Sequence, residues 1–195
     1  ADIVLGQASF AARSPNGLPG KQGLSYPRGI TGAGGKLFVA DENNHRVLVW
    51  NTLPTASGTA ADVEIGQAGV WGTTSQILRG PSDVAVVGSK LAIADSGNAR
   101  VLIYDTIPTA DRPNADHVVG QLDFVHGGLS GGHGDVLLDV NGIAFDAAGR
   151  LYAGTGNGSH ILRFPAGLPT TGAAADLGIS QETPGGPLIG GYNTG

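Results

Sequence analysis

The stretch ADENNHRVLVW, residues 40–50, sets an acid, two amides, a His and an Arg directly before an apolar run. Taken alone it has the makings of a chemical site. ADSGNARVLIY, residues 94–104, repeats its skeleton 54 positions later. Catalytic groups are normally unique in a chain, whereas residues that fold a repeat recur in every copy. The stretch therefore reads first as a turn. Asp41 and Asp95 end one apolar run, Arg46 and Arg100 open the next, and the four residues between are hairpin material. Asn and Gly tolerate left-handed backbone, and an Asp side chain accepts turn N–H groups. The Arg five positions on can pair with that Asp or with an acid of the adjoining unit.

Working outward, four segments align without gaps: ADIVLGQ at 1, ADVEIGQ at 61, ADHVVGQ at 115 and ADLGISQ at 175. Other elements recur between them in fixed order. YPRGITGAG, GPSDVAVVG and DVNGIAFDA are followed by KLFVAD, KLAIAD and RLYAGT, then by RVLVW, RVLIY and HILRF. Each unit thus holds four strand candidates of about five residues between turn signals. The third run always ends on an aromatic residue, Trp50, Tyr104 or Phe164, which suits a half-buried pleated surface. No window carries a sustained 3.6-residue period. Tandem four-stranded units of this length predict an all-β fold of β-propeller blades, each covering its neighbour's apolar face. The expected units are 8–67, 68–121 and 122–181, with 182–195 a tail or the start of another unit.

Composition agrees. Of 195 residues, 34 are Gly and 11 are Pro, which fits many tight turns, and 41% are hydrophobic, enough for a core. The net charge is -5 and no Lys/Arg cluster occurs, so nucleic acid is not an expected partner. No run of 18 apolar residues predicts a membrane-spanning helix. The absence of Cys excludes disulfides and thiolate chemistry. Few Lys and many small residues lean towards an exported protein that is extracellular, on the cell surface or periplasmic. The start at Ala1 suggests a processed form or an excised piece.

The units also resemble the NHL-repeat family, whose blades carry a Pro-x-Gly turn, an "lfVaD" strand and an "NxRV" strand. Here the match is Pro27-Arg28-Gly29 with LFVADENNHRV and LAIADSGNARV. The third unit departs: Thr155 replaces the Asp, Gly158 the second Asn and His160 the Arg. The resemblance implies a module that binds protein, peptide or glycan through one loop face. It also brings in amidating lyases and lactonase-type hydrolases, six-bladed enzymes with a metal in the central channel.

On repeat scaffolds, function lives where repeats differ. The segments linking one unit's fourth strand to the next unit's first strand are the least regular, spanning 20, 14 and 19 positions from Gln7, Gln67 and Gln121. In propellers they share a face with the hairpins of Asp41 and Asp95. The binding candidates on that face are Asp41, Asn44, His45, Arg46, Trp71, Asp95, Asn98, Arg100, His126, His133 and Asp135. His126, His133 and Asp135 are the metal candidates, with zinc or calcium the fitting ions. Their spacing is not diagnostic, and exposed loop histidines usually bind nothing, so the expected cofactor is none. Trp71 can stack on a sugar or anchor a partner. Phe10 and Phe124 share one repeat position, with Val70 between them, and are expected to plug the core. No GxSxG elbow, P-loop or acid pair appears, so no catalytic residue is assigned.

Three units with the ADIVLGQ segment in front leave that segment without partner strands. Either the remaining blades of a longer chain or a second copy supplies them. The expected function is a non-catalytic binding module. A metal-dependent lyase or hydrolase is the alternative, and a structural protein assembling by strand exchange is the second.

Overall fold

The computed structural model describes residues 1–127, 137, 139–156, 160–167 and 171–180. Three four-stranded antiparallel meanders follow one another along the chain. Unit one is β1 (Pro27–Ala33), β2 (Lys36–Asp41), β3 (Arg46–Trp50) and β4 (Val63–Gly66). Unit two is β5 (Pro81–Val87), β6 (Lys90–Asp95), β7 (Arg100–Tyr104) and β8 (His117–Val119). Unit three is β9 (Val140–Phe145), β10 (Leu151–Thr155), β11 (His160–Phe164) and β12 (Leu177–Ser180). Each meander pairs its strands in chain order, every neighbouring pair antiparallel, with short turns from first to third strand and a longer connection to the fourth.

The sheets stack through their first strands: β1 packs on β5, and β5 on β9. Period-two alternation gives every sheet two apolar faces, and stacking covers them. Phe38, Ala40, Val47, Val49 and Ile65 of unit one meet Leu91, Ile93, Leu102 and Tyr104 of unit two. Ala92, Ala94, Val101 and Ile103 on the opposite face of unit two meet Leu151, Ala153, Leu162 and Phe164 of unit three. Fully burying one such branched side chain is worth about 1.5–3 kcal/mol, so neighbours stabilise each other chiefly across these two faces.

The core plugs are not the residues expected. Phe10 and Val70 are exposed, and Phe124 is half-buried against the first inter-unit core. The plugs are Leu24, Leu78 and Leu137, each lying three residues before the start of the first strand. Each sits against a Gly that ends the previous unit's fourth-strand segment. Gly6, Gly66 and Gly120 have φ of 82°, 85° and 83°, a region that side chains other than Gly rarely adopt. A Cβ at Gly6 or Gly120 lies 2.8 Å from the facing Leu. The repeated GQ therefore makes room for a leucine, whereas Phe10 and Phe124 lie a few residues later, on the surface of the loop.

Gly29 serves a second close approach. A Cβ there falls 2.4 Å from the Asp83 Cα, so the Pro-x-Gly turn lets β1 lie against β5. Asp83 occupies the Gly position in unit two and uses its carboxylate instead, accepting the Ile143 N–H of β9 at 2.9 Å.

Candidate functional site

The two hairpins that opened the sequence reading have one geometry. After Asp41 and Asp95 come single 3-10 turns, Glu42–Asn44 and Ser96–Asn98. The left-handed residue falls not on Asn or Gly but on the next position, His45 (φ 56°) and Ala99 (φ 54°). Asp41 and Asp95 are both fully buried. Asp41 accepts hydrogen bonds from the Ser25 N–H (2.6 Å), Asn44 Nδ2 (2.7 Å) and Arg46 Nε (2.8 Å). Asp95 accepts the matching three from the Arg79 N–H (2.7 Å), Asn98 Nδ2 (2.8 Å) and Arg100 Nε (2.7 Å). The remaining Arg46 donors reach Glu64 and the carbonyls of Gly20 and Gly23. Those of Arg100 reach the carbonyls of Thr73, Thr74, Ile77 and Phe124.

Each Asp–Asn–Arg set is thus a clamp that ties the incoming loop to the hairpin. Burial pushes the Asp95 carboxyl above its ordinary value, against the opposing pull of Arg100, the Arg79 N–H and Asn98. Asp41, Asn44, Arg46, Asp95, Asn98 and Arg100 lie in these clamps, and all six are buried.

Directly outside the clamps is an open cavity of about 530 Å³ lined by Glu42, Asn43, His45, Arg79, Gly80, Ser96, Gly97 and Asp139. The two hairpins and the residues entering β5 and β9 build its walls. The Gly80 N–H donates to His45 Nδ1 at 3.0 Å, so in the neutral ring the proton sits on Nε2. Glu42 is bound by Arg28 at 3.3 Å. The Arg79 guanidinium lies 5.0 Å from the centroid of the exposed Trp71 ring, a cation–π contact that holds both side chains at the rim. Ser96 Oγ reaches Asp139 at 3.5 Å. Carboxylates on two sides and N–H donors between them make a polar, mixed-charge surface.

Of the expected site residues, the structure brings His45 to the cavity and Trp71 to its rim. His126 is exposed elsewhere on its loop, with Nδ1 2.6 Å from Asp123 Oδ1. That contact, with the Val125 and His126 N–H groups, holds the Asp123 carboxyl below its ordinary value. His133 and Asp135 lie outside the described residues. Among the described residues no three His, Asp or Glu side chains converge as a metal-ligand group.

Glu42, Arg79, Ser96 and Asp139 were not singled out from the sequence. Tyr26, Gly80 and Asp139 occupy one repeat position, directly before the first strand, and all three have left-handed backbone, with φ of 58°, 56° and 55°. A bulky Tyr held there, with its side chain exposed, is a strained placement of the kind that clusters at functional surfaces.

The family model for the NHL repeat matches residues 24–50, which hold β1 to β3 and the whole first clamp. No curated protein matches the chain. The chain carries an NHL repeat in its first unit, within an all-β fold compatible with about three propeller blades.

Proposed function

We propose that the chain is a non-catalytic interaction module that holds an extended peptide segment of a protein partner across the cavity between the first two hairpins. The observation that carries this reading is the lining. Glu42 and Asp139 offer acceptors, while Arg79 and His45 Nε2 offer donors around one opening. An extended peptide presents N–H and C=O groups in alternation and offers hydrogen-bond partners to both kinds of group on such a surface. Trp71, stacked beside Arg79, adds an exposed aromatic anchor, the residue type most enriched at binding hot spots. The repeat type agrees, since residues 24–50 match a repeat found in interaction modules. A setting outside the cytoplasm is part of the proposal, supported by few Lys and many Gly, Ala, Thr and Ser.

Peptide and glycan arrays probed with the labelled chain test this reading. Peptide spots should bind, and Arg79→Ala should weaken them at least tenfold while leaving the unfolding free energy within about 0.5 kcal/mol of the parent. Binding to glycans alone, or silence on both arrays at high protein concentration, overturns it.

A further inference from the structure

Four ionisable side chains line the cavity between the first two hairpins, and two of them are already engaged. Arg28 holds Glu42 at 3.3 Å, and His45 Nδ1 accepts the Gly80 N–H at 3.0 Å. Arg79 and Asp139 differ. Both are exposed, and neither has an ionic partner among the described residues.

The fold does not need these two charges. The Arg79 N–H binds Asp95 and its C=O accepts the Gly97 N–H at 2.9 Å. Ser25 makes both contacts in unit one, with the Asp41 carboxylate and the Asn43 N–H, and carries no charge. The backbone of Arg79 therefore does the folding, and the guanidinium is additional. Asp139 follows the same logic. Its C=O accepts the Gly156 N–H at 2.9 Å, and its left-handed backbone is shared by Gly80 and Tyr26 at the same repeat position.

One turn separates the two charges. Ser96 Oγ lies 3.5 Å from Asp139 Oδ1. A Cβ on the next residue, Gly97, falls 2.7 Å from Arg79 Cγ, so the Arg79 stem crosses that glycine. Consecutive Cα atoms are about 3.8 Å apart, which sets Asp139 and Arg79 on either side of a short step. Trp71 then fixes the cation. With the guanidinium 5.0 Å from the ring centroid, the stack leaves the edge N–H donors open, and these match a carboxylate in a two-point contact.

We propose, resting on the peptide reading above, that the bound segment carries one acidic and one basic side chain two residues apart. The acid takes the edge of the Arg79 guanidinium, and the base sits on the Asp139 carboxylate. In an extended peptide, side chains two positions apart share a face and are about 7 Å from each other, whereas adjacent ones point to opposite faces. Opposite charges at this spacing fix the register in which the segment lies across the hairpins.

Fluorescence anisotropy with labelled nonapeptides of Ser, Thr and Val tests this. Their centres hold Glu-x-Lys, Lys-x-Glu, adjacent Glu-Lys, or Gln-x-Gln. Because an extended segment can run either way, one of the two spaced orders should bind at least tenfold tighter than the neutral and the adjacent peptides. Replacing its Glu by Gln should weaken binding about fivefold to the parent chain and leave binding to Arg79→Gln unchanged. Replacing its Lys by Gln should weaken binding about fivefold to the parent chain and leave binding to Asp139→Asn unchanged. Asn tolerates the left-handed backbone at that position, so this variant keeps its turn. Equal binding of charged and neutral peptides, or losses that persist in the two variants, overturns this inference while the peptide reading stands. Silence of every peptide, the neutral one included, overturns that reading and this inference with it.

Discussion

The hairpin of unit two and the hairpin of unit three have the same length and register but opposite interiors. In unit two, Asp95 and Arg100 face each other as a buried ion pair that also holds Asn98 and the carbonyls of two loops. In unit three the facing residues are Thr155 and His160, and Thr155 Oγ1 donates to the His160 carbonyl at 3.3 Å within the hairpin itself. The strands β10 and β11 pair equally well without the clamp. The ion pair is therefore not what makes the hairpin. Its work is to fasten the preceding loop over it. This is why residues that looked like a site recur in units one and two: they position a loop face, and the loops themselves differ from unit to unit.

The largest effect that sharpens this contrast is Arg100→Ala. It strands a buried carboxylate and four carbonyls, and chemical denaturation should show a loss of about 3–5 kcal/mol. His160→Ala at the same repeat position should cost no more than about 1 kcal/mol. Equal losses at the two positions break the comparison. A smaller change of opposite sign is expected at Tyr104, whose buried hydroxyl has no hydrogen-bond partner among the described residues and is held neutral by its burial. Unit three already carries Phe164 there, and Tyr104→Phe should raise stability by about 1 kcal/mol, because a buried unpaired hydroxyl is a net cost.

The smallest effect concerns Asp105, which hydrogen bonds from Lys90 and then from His117 hold below its ordinary value. A lowered carboxyl favours the folded state fully above about pH 4 and loses that contribution as pH falls through its folded value. Asp105→Asn should flatten the acid limb of the stability profile by only a few tenths of a kcal/mol, since the carboxylate is itself 45% exposed. Unit three has Pro165 at this position and contributes nothing of the kind. A steeper acid limb in Asp105→Asn contradicts the sign.

Much of this was legible in the residues. Strand order, the three units and the turn role of ADENNHRVLVW follow from repetition and two-residue alternation, because a repeated local pattern must satisfy one local geometry. The plugs were misplaced because Phe10 is larger than Leu24, and size alone does not say which side chain faces the left-handed glycine of the preceding segment. The cavity was missed for a different reason. Glu42, Arg79, Ser96 and Asp139 share no motif, are distant in sequence, and meet only because two hairpins and two strand entries are stacked side by side. His45 and Trp71 were found because they stand next to a motif.

A double-mutant cycle on Asp95→Asn and Arg100→Leu, read by denaturation midpoints, tests the clamp most directly. A coupling of about 2–3 kcal/mol, with peptide binding surviving in each folded variant, is the predicted result. Coupling near zero would contradict the clamp, and loss of binding in a variant of unchanged stability would mean that these side chains meet the ligand themselves.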